Sequence, residues 1–158
     1  YVKFTLQLVE QLKKLFLIFL FLDYAITAYK SYKILSTEIQ TMIYPNRTIN
    51  FIETREFSFK GKFSYVYQVI PKRGYDKIFD IQVFENGKPY LNTNTKEEGT
   101  FLVDERERSY RIYLYHNSLN ETKKFTVKYS LENPFTVGVD DSQFYWIYLS
   151  DRLSLIHI

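Results

Sequence analysis

The chain contains no cysteine, and it is poor in glycine and proline, with five and four residues among 158. The absence of cysteine excludes disulfide bonds, thiolate metal sites and a cysteine nucleophile. A folded domain of this chain must therefore be held together by its hydrophobic core. The 21 Lys and Arg and the 18 Asp and Glu residues are interspersed. No basic stripe results, so we expect no nucleic-acid partner.

Aromatic residues are abundant, with 15 Tyr and 14 Phe, and they alternate with polar residues along short segments separated by turns. This pattern is typical of strands, and no helical period is evident after residue 30. We therefore predict an all-β fold, an antiparallel, immunoglobulin-like β-sandwich preceded by an N-terminal hydrophobic signal helix. The predicted strands cover residues 34–44, 48–59, 63–70, 78–85, 100–103, 110–115, 124–132, 136–139 and 144–149.

Two details of this fold follow from local patterns. Asn86-Gly87 predicts a tight hairpin, because a type I′ turn needs positive φ at both central positions. Strand alternation predicts which side chains are buried. The residues that we expect in the core are Phe63, Tyr65, Val69, Phe79, Ile81, Val83, Phe125, Val127 and Tyr129.

An apolar run lies near the beginning of the chain. Lys13 and Lys14 precede eight consecutive large apolar residues, 15–22, and Asp23 ends the run. The run is shorter than the roughly 20 residues that span a bilayer. A basic head followed by a short apolar core is typical of a secretory signal peptide. The alternative is an amphipathic or membrane-anchoring helix. If Leu12 represents a TTG start codon, residues 1–11 are untranslated.

The expected organisation is a signal region at residues 1–28, an exported domain at 29–152 and a foreign tail at 153–158. The tail can be encoded by a DNA string that resembles the end of a transposon-based sequencing adapter, so we leave it out of the fold prediction. We expect the natural protein to continue past Arg152 into a membrane anchor. The exported domain would then face outward from the cytoplasmic membrane.

Glu53 and Arg55 are two residues apart on a predicted strand, so their side chains share one face. They are weak candidates for ligand recognition. The simpler interpretation is a cross-strand or edge ion pair, which would contribute little to stability if it is exposed.

Three further candidates come later in the chain. Asp140 and Asp141, with Glu132 near in sequence, could form a calcium site or a glycosidase-like acid pair, but an acidic turn explains them more simply. Trp146 could stack on a sugar, or it could be a core residue. His116 is the one histidine of the predicted domain, and we expect it to be exposed at a strand end.

Three stretches resemble the N-terminal extracytoplasmic domain of domain-of-unknown-function family 2207, predicted bacterial membrane proteins. They are Phe51 to Gly61, then Gly61 to Pro71, and finally Phe125 to Leu131 followed by the segment from Asp140 to Trp146. The resemblance runs from about Tyr32 to Leu149. It implies a signal peptide, this β-rich domain and later transmembrane segments, and it implies no known activity. Gln68 stands where we expect arginine in the family.

These observations predict a non-enzymatic, extracytoplasmic interaction module that contacts a protein or another envelope partner. The first alternative is a module that binds carbohydrate or cell wall through exposed aromatic residues. The second alternative is a hydrolase that depends on two carboxylates. We predict no catalytic residue, no metal and no cofactor.

Overall fold

The computed structural model describes residues 10–14, 30–137 and 142–143. The apolar run at 15–22, the candidates Asp140, Asp141 and Trp146, and the tail at 153–158 lie outside these residues. The chain divides into two units, Tyr1–Ser31 and Tyr32–Ile158. In the first unit, residues 10–14 form a short, exposed helical segment. No helix within the described residues is long and apolar enough to cross a membrane.

The second unit is built from strands, as the alternating pattern predicts. Nearly every predicted strand within the described residues is present, with ends shifted by a few residues. The strands are β1 (Ser31–Ile43), β2 (Thr48–Lys60), β3 (Lys62–Pro71), β4 (Lys77–Glu85), β5 (Lys88–Pro89), β6 (Leu91–Asn92), β7 (Thr100–Glu105), β8 (Ser109–Leu119), β9 (Thr122–Glu132), β10 (Thr136–Val137) and β11 (Ser142–Gln143).

The longer strands form two sheets. A five-stranded sheet has the order β1-β2-β9-β4-β5, and a four-stranded sheet has the order β3-β8-β7-β6. β10 and β11 form a separate pair. One pair departs from the predicted antiparallel arrangement, because β6 runs parallel to β7. β6 lies outside every predicted strand, and its Leu91 N–H donates to the Gly99 carbonyl at 2.9 Å.

Both sheets contribute side chains to one hydrophobic core. β2 alternates strictly, with every odd-numbered residue from Ile49 to Phe59 buried. The neighbouring strand β9 also has its odd-numbered residues buried. Five of the nine predicted core residues are buried, namely Phe63, Val83, Phe125, Val127 and Tyr129. The other four are half-buried, namely Tyr65, Val69, Phe79 and Ile81.

Bulges explain why these residues are less buried than predicted, although Ile81 still packs against the core. The register of β3 against β8 shifts between Phe63 and Tyr65, so Val66 and Ile70 take the core positions instead. β4 has a similar shift between Phe79 and Gln82. An extra residue in one strand inverts the faces that follow it.

The hairpin between β4 and β5 is confirmed. Asn86 has φ of 48° and Gly87 has φ of 84°, the positive values that a type I′ turn requires. Glu85 pairs with Lys88 across the turn.

Candidate functional site

Glu53 and Arg55 lie at buried positions of β2 and are only 5% and 7% exposed. The predicted ion pair is present, but it lies within one interior strand and in the core rather than across strands or at an edge. The Nη2 of Arg55 donates to a carboxylate oxygen of Glu53 at 2.6 Å. The Nη1 of Arg55 donates to the side-chain oxygen of Gln68 at 2.9 Å. The Tyr129 hydroxyl donates to the other oxygen of Glu53. We call these four residues the buried polar cluster.

The cluster contains one positive and one negative charge, and most of its polar atoms have hydrogen-bond partners. Burial, together with the neighbouring Glu53 carboxylate, raises the pKa of Tyr129 well above its usual value, so its hydroxyl stays protonated and keeps donating. Arg55 Nε has no hydrogen-bond partner within the described residues. Arg55 is one of the residues that line a cavity of about 20 Å³. That volume fits a water molecule rather than a substrate.

This arrangement suits a structural role better than a catalytic one. The Glu53 carboxylate is engaged by Arg55 and Tyr129 and is removed from solvent. Because β2 belongs to the five-stranded sheet and β3 to the other, the bond from Arg55 to Gln68 joins the two sheets. Sequence alternation alone places Glu53 and Arg55 in phase with Phe51 and could have revealed their burial.

His116 also lies in the core, and the predicted exposed position is wrong. Its side chain is 2% exposed and packs between Phe59 and Phe125, with ring centroids 5.1 Å away in both cases. Its Nδ1 is 2.6 Å from the Ser118 hydroxyl. Burial and the positive charge of Lys123 lower the pKa of His116 to about 4. The imidazole is therefore neutral at pH 7.

A second buried ion pair was not predicted. Lys123 Nζ lies 2.8 Å from a Glu85 oxygen and 3.9 Å from a Glu98 oxygen. The Tyr90 hydroxyl also donates to Glu85. Burial alone would raise the pKa of Glu85, but the hydrogen bonds from Lys123 and Tyr90 outweigh it and lower the pKa. The sequence feature that could have revealed this pair is the spacing of Lys123 and Phe125. They are two residues apart on one strand, so their side chains lie on the same face.

The outer face of the four-stranded sheet carries an aromatic group that the sequence prediction missed. The strand register aligns it in three rows, each of which crosses β3, β8 and β7. Its members are half-buried or buried, and none is fully exposed. We call it the tyrosine face, and its rows are Tyr65, Tyr115 and Thr100, then Tyr67, Tyr113 and Leu102, and finally Val69, Arg111 and Asp104.

The four tyrosine rings hold one another in place. Neighbouring ring centroids are 5.4 Å apart for Tyr67 and Tyr113, and 5.7 Å apart for Tyr65 and Tyr113. Burial and the neighbouring tyrosines raise the pKa values of Tyr65 and Tyr115, so both hydroxyls remain protonated. These contacts make a rigid surface with several hydroxyl groups.

Arg111 adds a cation to the tyrosine face. Its guanidinium carbon lies 5.6 Å from the centroid of the Tyr67 ring. A hydrogen bond with Tyr113 raises the pKa of Arg111. Its Nε has no hydrogen-bond partner within the described residues. The face therefore combines aromatic area, hydroxyl groups and a cation, although the Nε of that cation is itself buried.

Residues 33–154 match one family model, described as the N-terminal domain of a predicted membrane protein, DUF2207. The chain belongs to the DUF2207 family. The resemblance inferred from the sequence is thus confirmed over nearly the whole predicted domain. No curated protein and no solved structure matches the chain significantly.

Membership of DUF2207 assigns the chain to a family of predicted membrane proteins and names no activity. Gln68, the position at which the sequence resemblance predicts arginine, accepts a hydrogen bond from Arg55. An arginine has no acceptor atom and could not receive that bond.

Proposed function

We propose that the domain is a non-catalytic, immunoglobulin-like β-sandwich module of a membrane-anchored protein. It stands on the extracellular side of the cytoplasmic membrane and contacts a protein partner. Two features support this proposal: the family consists of predicted membrane proteins, and Lys13 and Lys14 followed by the apolar run at 15–22 have the composition of a signal peptide. The core shared by two sheets supports the sandwich.

The tyrosine face is the observation that carries the binding role. Tyrosine and arginine are enriched at the energetic centres of protein interfaces. Here the rings are already locked by one another and by a rigid sheet, so binding costs little side-chain entropy. Arg111 and Asp104 pair across β8 and β7 and supply charges of both signs.

A protein partner suits this face better than a glycan. Stacking on a sugar requires an open ring face, whereas Tyr67 and Tyr115 are 7% and 8% exposed. Neighbouring rings are tilted at 41° to 59° for three of the pairs, so they form no flat platform. Tyr65 and Tyr113 are only half-buried, so part of their surface remains for contact with a polypeptide.

The buried polar cluster supports a non-catalytic role. A hydrolase with two carboxylates needs both of them beside the substrate. Glu53 is enclosed in the core and bonded on both oxygens, so it is unsuited to that task.

Co-sedimentation with isolated cell envelopes of the source organism tests this function. The wild-type chain should sediment with the envelopes, and Tyr113→Ser should lower the bound fraction by about tenfold, as for a central interface residue. Phe84→Ser is the matched control, because Phe84 is an aromatic residue on the outer face of the other sheet, beside Lys128. Protease treatment of the envelopes should abolish binding. Binding that survives protease but is lost after muramidase digestion would overturn the protein partner in favour of a glycan.

The proposed location has a separate test. Because the chain has no cysteine, a single cysteine at the exposed turn position Arg108 would be the one thiol to label. A membrane-impermeant maleimide should label Arg108→Cys in intact cells. Labelling that requires cell lysis would contradict an extracytoplasmic location.

A further inference from the structure

β3 is an edge strand of the four-stranded sheet, and part of its edge is unprotected. Within the described residues, β8 is the one strand that it neighbours. Proteins usually protect such an edge with charged residues, proline or a bulge, because a bare edge pairs with other strands. Here a bulge lies between Phe63 and Tyr65, and Pro71 ends the strand. Residues 65–70 lie between these two features and carry no charge.

The strand register identifies the main-chain groups that face the unprotected side. The N–H of Lys72 donates to the Arg108 carbonyl at 3.0 Å, so these two residues form a hydrogen-bonded pair of the β3–β8 ladder. Hydrogen-bonded and non-hydrogen-bonded pairs alternate along an antiparallel ladder. The even-numbered residues of β3 from 66 to 70 therefore bond to β8. The N–H and C=O groups of Tyr65, Tyr67 and Val69 point away from β8, and we call these three residues the open edge.

Two further observations agree with this assignment. The N–H of Arg106 donates to the Ser109 carbonyl at 2.8 Å, so the odd-numbered residues of β8 bond to β7 and leave the even-numbered ones for β3. Pro71, which has no N–H, occupies an outward position of β3, where β8 needs no donor. The open edge thus presents N–H and C=O groups that have no partner within the described residues.

The open edge is continuous with the tyrosine face. Tyr65, Tyr67 and Val69 each begin one of its three rows, so a partner on that face meets unpaired main-chain groups at its border. Donors and acceptors that repeat along a strand match the backbone of another extended chain, and neither a lipid nor a sugar carries this repeat. Because residues 65–70 are uncharged, an uncharged segment is the matching one.

We propose that the protein partner of the tyrosine face adds an extended, uncharged segment to the open edge as a further strand beside residues 65–70. This inference rests on the proposed binding role of the tyrosine face and states how the partner is held. Main-chain hydrogen bonds to the open edge supply affinity. Every second side chain of the added segment extends a row of the tyrosine face and supplies selectivity.

Amide hydrogen exchange of the full-length chain in mild detergent, followed by NMR, tests the open edge without the partner. The amides of Tyr65, Tyr67 and Val69 should exchange on the order of a hundredfold faster than those of the even-numbered residues from 66 to 70, which bond to β8. Slow exchange at the three outward amides would mean that another segment of the chain, or a second copy, already occupies the edge. That result would overturn the proposal.

Proline substitution tests the added strand, with co-sedimentation with isolated cell envelopes as the measurement. Val69→Ala keeps the main-chain N–H, whereas Val69→Pro removes it, and an edge strand tolerates proline at such an outward position. Val69→Pro should bind at least about fivefold more weakly than Val69→Ala, because a main-chain hydrogen bond to the partner is lost. Ile43→Pro is the control on the edge strand β1 of the other sheet and should bind like the wild type. The N–H of Ile43 points away from β2, since the N–H of the next residue, Tyr44, bonds to the Thr48 carbonyl.

The outcomes separate this inference from the proposed function. If Tyr113→Ser weakens binding while Val69→Pro and Val69→Ala bind equally, the tyrosine face binds its partner without an added strand and this inference is wrong. If the wild-type chain does not sediment with the envelopes, both the proposed function and this inference are wrong.

Discussion

The guanidinium of Arg55 on β2 donates a 2.9 Å hydrogen bond to the side chain of Gln68 on β3 and so connects the two sheets inside the core. The same guanidinium neutralises Glu53, whose second oxygen is held by Tyr129. A domain without cysteine thus has a buried polar connection between its two sheets.

Removal of Arg55 should be strongly destabilising. Arg55→Met leaves the Glu53 carboxylate buried with one donor, and loss of one partner of a buried pair costs about 3–5 kcal/mol. We expect the free energy of unfolding in urea, followed by circular dichroism, to fall by that amount. Arg108→Met, at an exposed turn position, should change it by less than about 0.5 kcal/mol. Equal effects of the two substitutions would show that the buried polar cluster contributes nothing special.

Two neighbouring lysines of β9 offer a matched comparison. Lys123 is buried against Glu85, whereas Lys124 is exposed. Lys123→Met should lower the free energy of unfolding by about 2–3 kcal/mol, because the Glu85 carboxylate remains with a hydroxyl donor alone. Lys124→Met should be close to neutral. A larger loss for Lys124→Met than for Lys123→Met would refute the assigned ion pair.

Acidification should destabilise the domain through His116. Its pKa is lowered from 6.5 to about 4 in the folded state, so the unfolded chain binds an extra proton between these values. Stability contributed by the neutral imidazole is complete above pH 6.5 and declines as the pH falls towards 4, with a slope that approaches about 1.4 kcal/mol per pH unit.

The control for this prediction is a variant that cannot titrate at this position. His116→Gln should show a shallower decline of unfolding free energy between pH 6.5 and 4 than the wild type. His157 remains in both proteins and supplies the same background. Superimposable pH profiles would mean that His116 has an ordinary pKa.

The β4–β5 turn should depend on Gly87. Its φ of 84° is strained for a residue with a side chain, although no atom lies within 4 Å of the place where a Cβ would be. Gly87→Ala should therefore cost about 1–2 kcal/mol through backbone strain alone. Gly87→Asn should cost less, because asparagine tolerates this conformation. The midpoint of urea unfolding reports both values, and equal costs would point to a steric cause instead.

Local patterns predicted most of the strands because alternation and turn residues are written along the chain itself. The Asn86-Gly87 turn and the phase of β9 are examples. The bulge after Phe63 was not predictable in this way, because it depends on pairing with β8, and it moved Tyr65 and Tyr67 to the outer face. The tyrosine face, which needs three strands in register, was therefore beyond a reading of single segments.

His116 shows a second limit of prediction from sequence. A strand-end histidine followed by Asn117 and Ser118 has the composition of a turn. In the structure β8 continues to Leu119, and pairing with β3 carries His116 into the core between two phenylalanines. The burial of His116 depends on how far β3 extends alongside β8, and the local sequence around His116 does not give that length.

Site-specific photo-cross-linking in intact cells tests the central claim most directly. A photoreactive phenylalanine derivative placed at Tyr113, in the tyrosine face, should form a covalent adduct with a second, different protein of the cell envelope. The same residue placed at Phe84, on the outer face of the other sheet, should form none. An adduct of equal yield at both positions, or no protein adduct at Tyr113, would contradict a protein-binding role for this face.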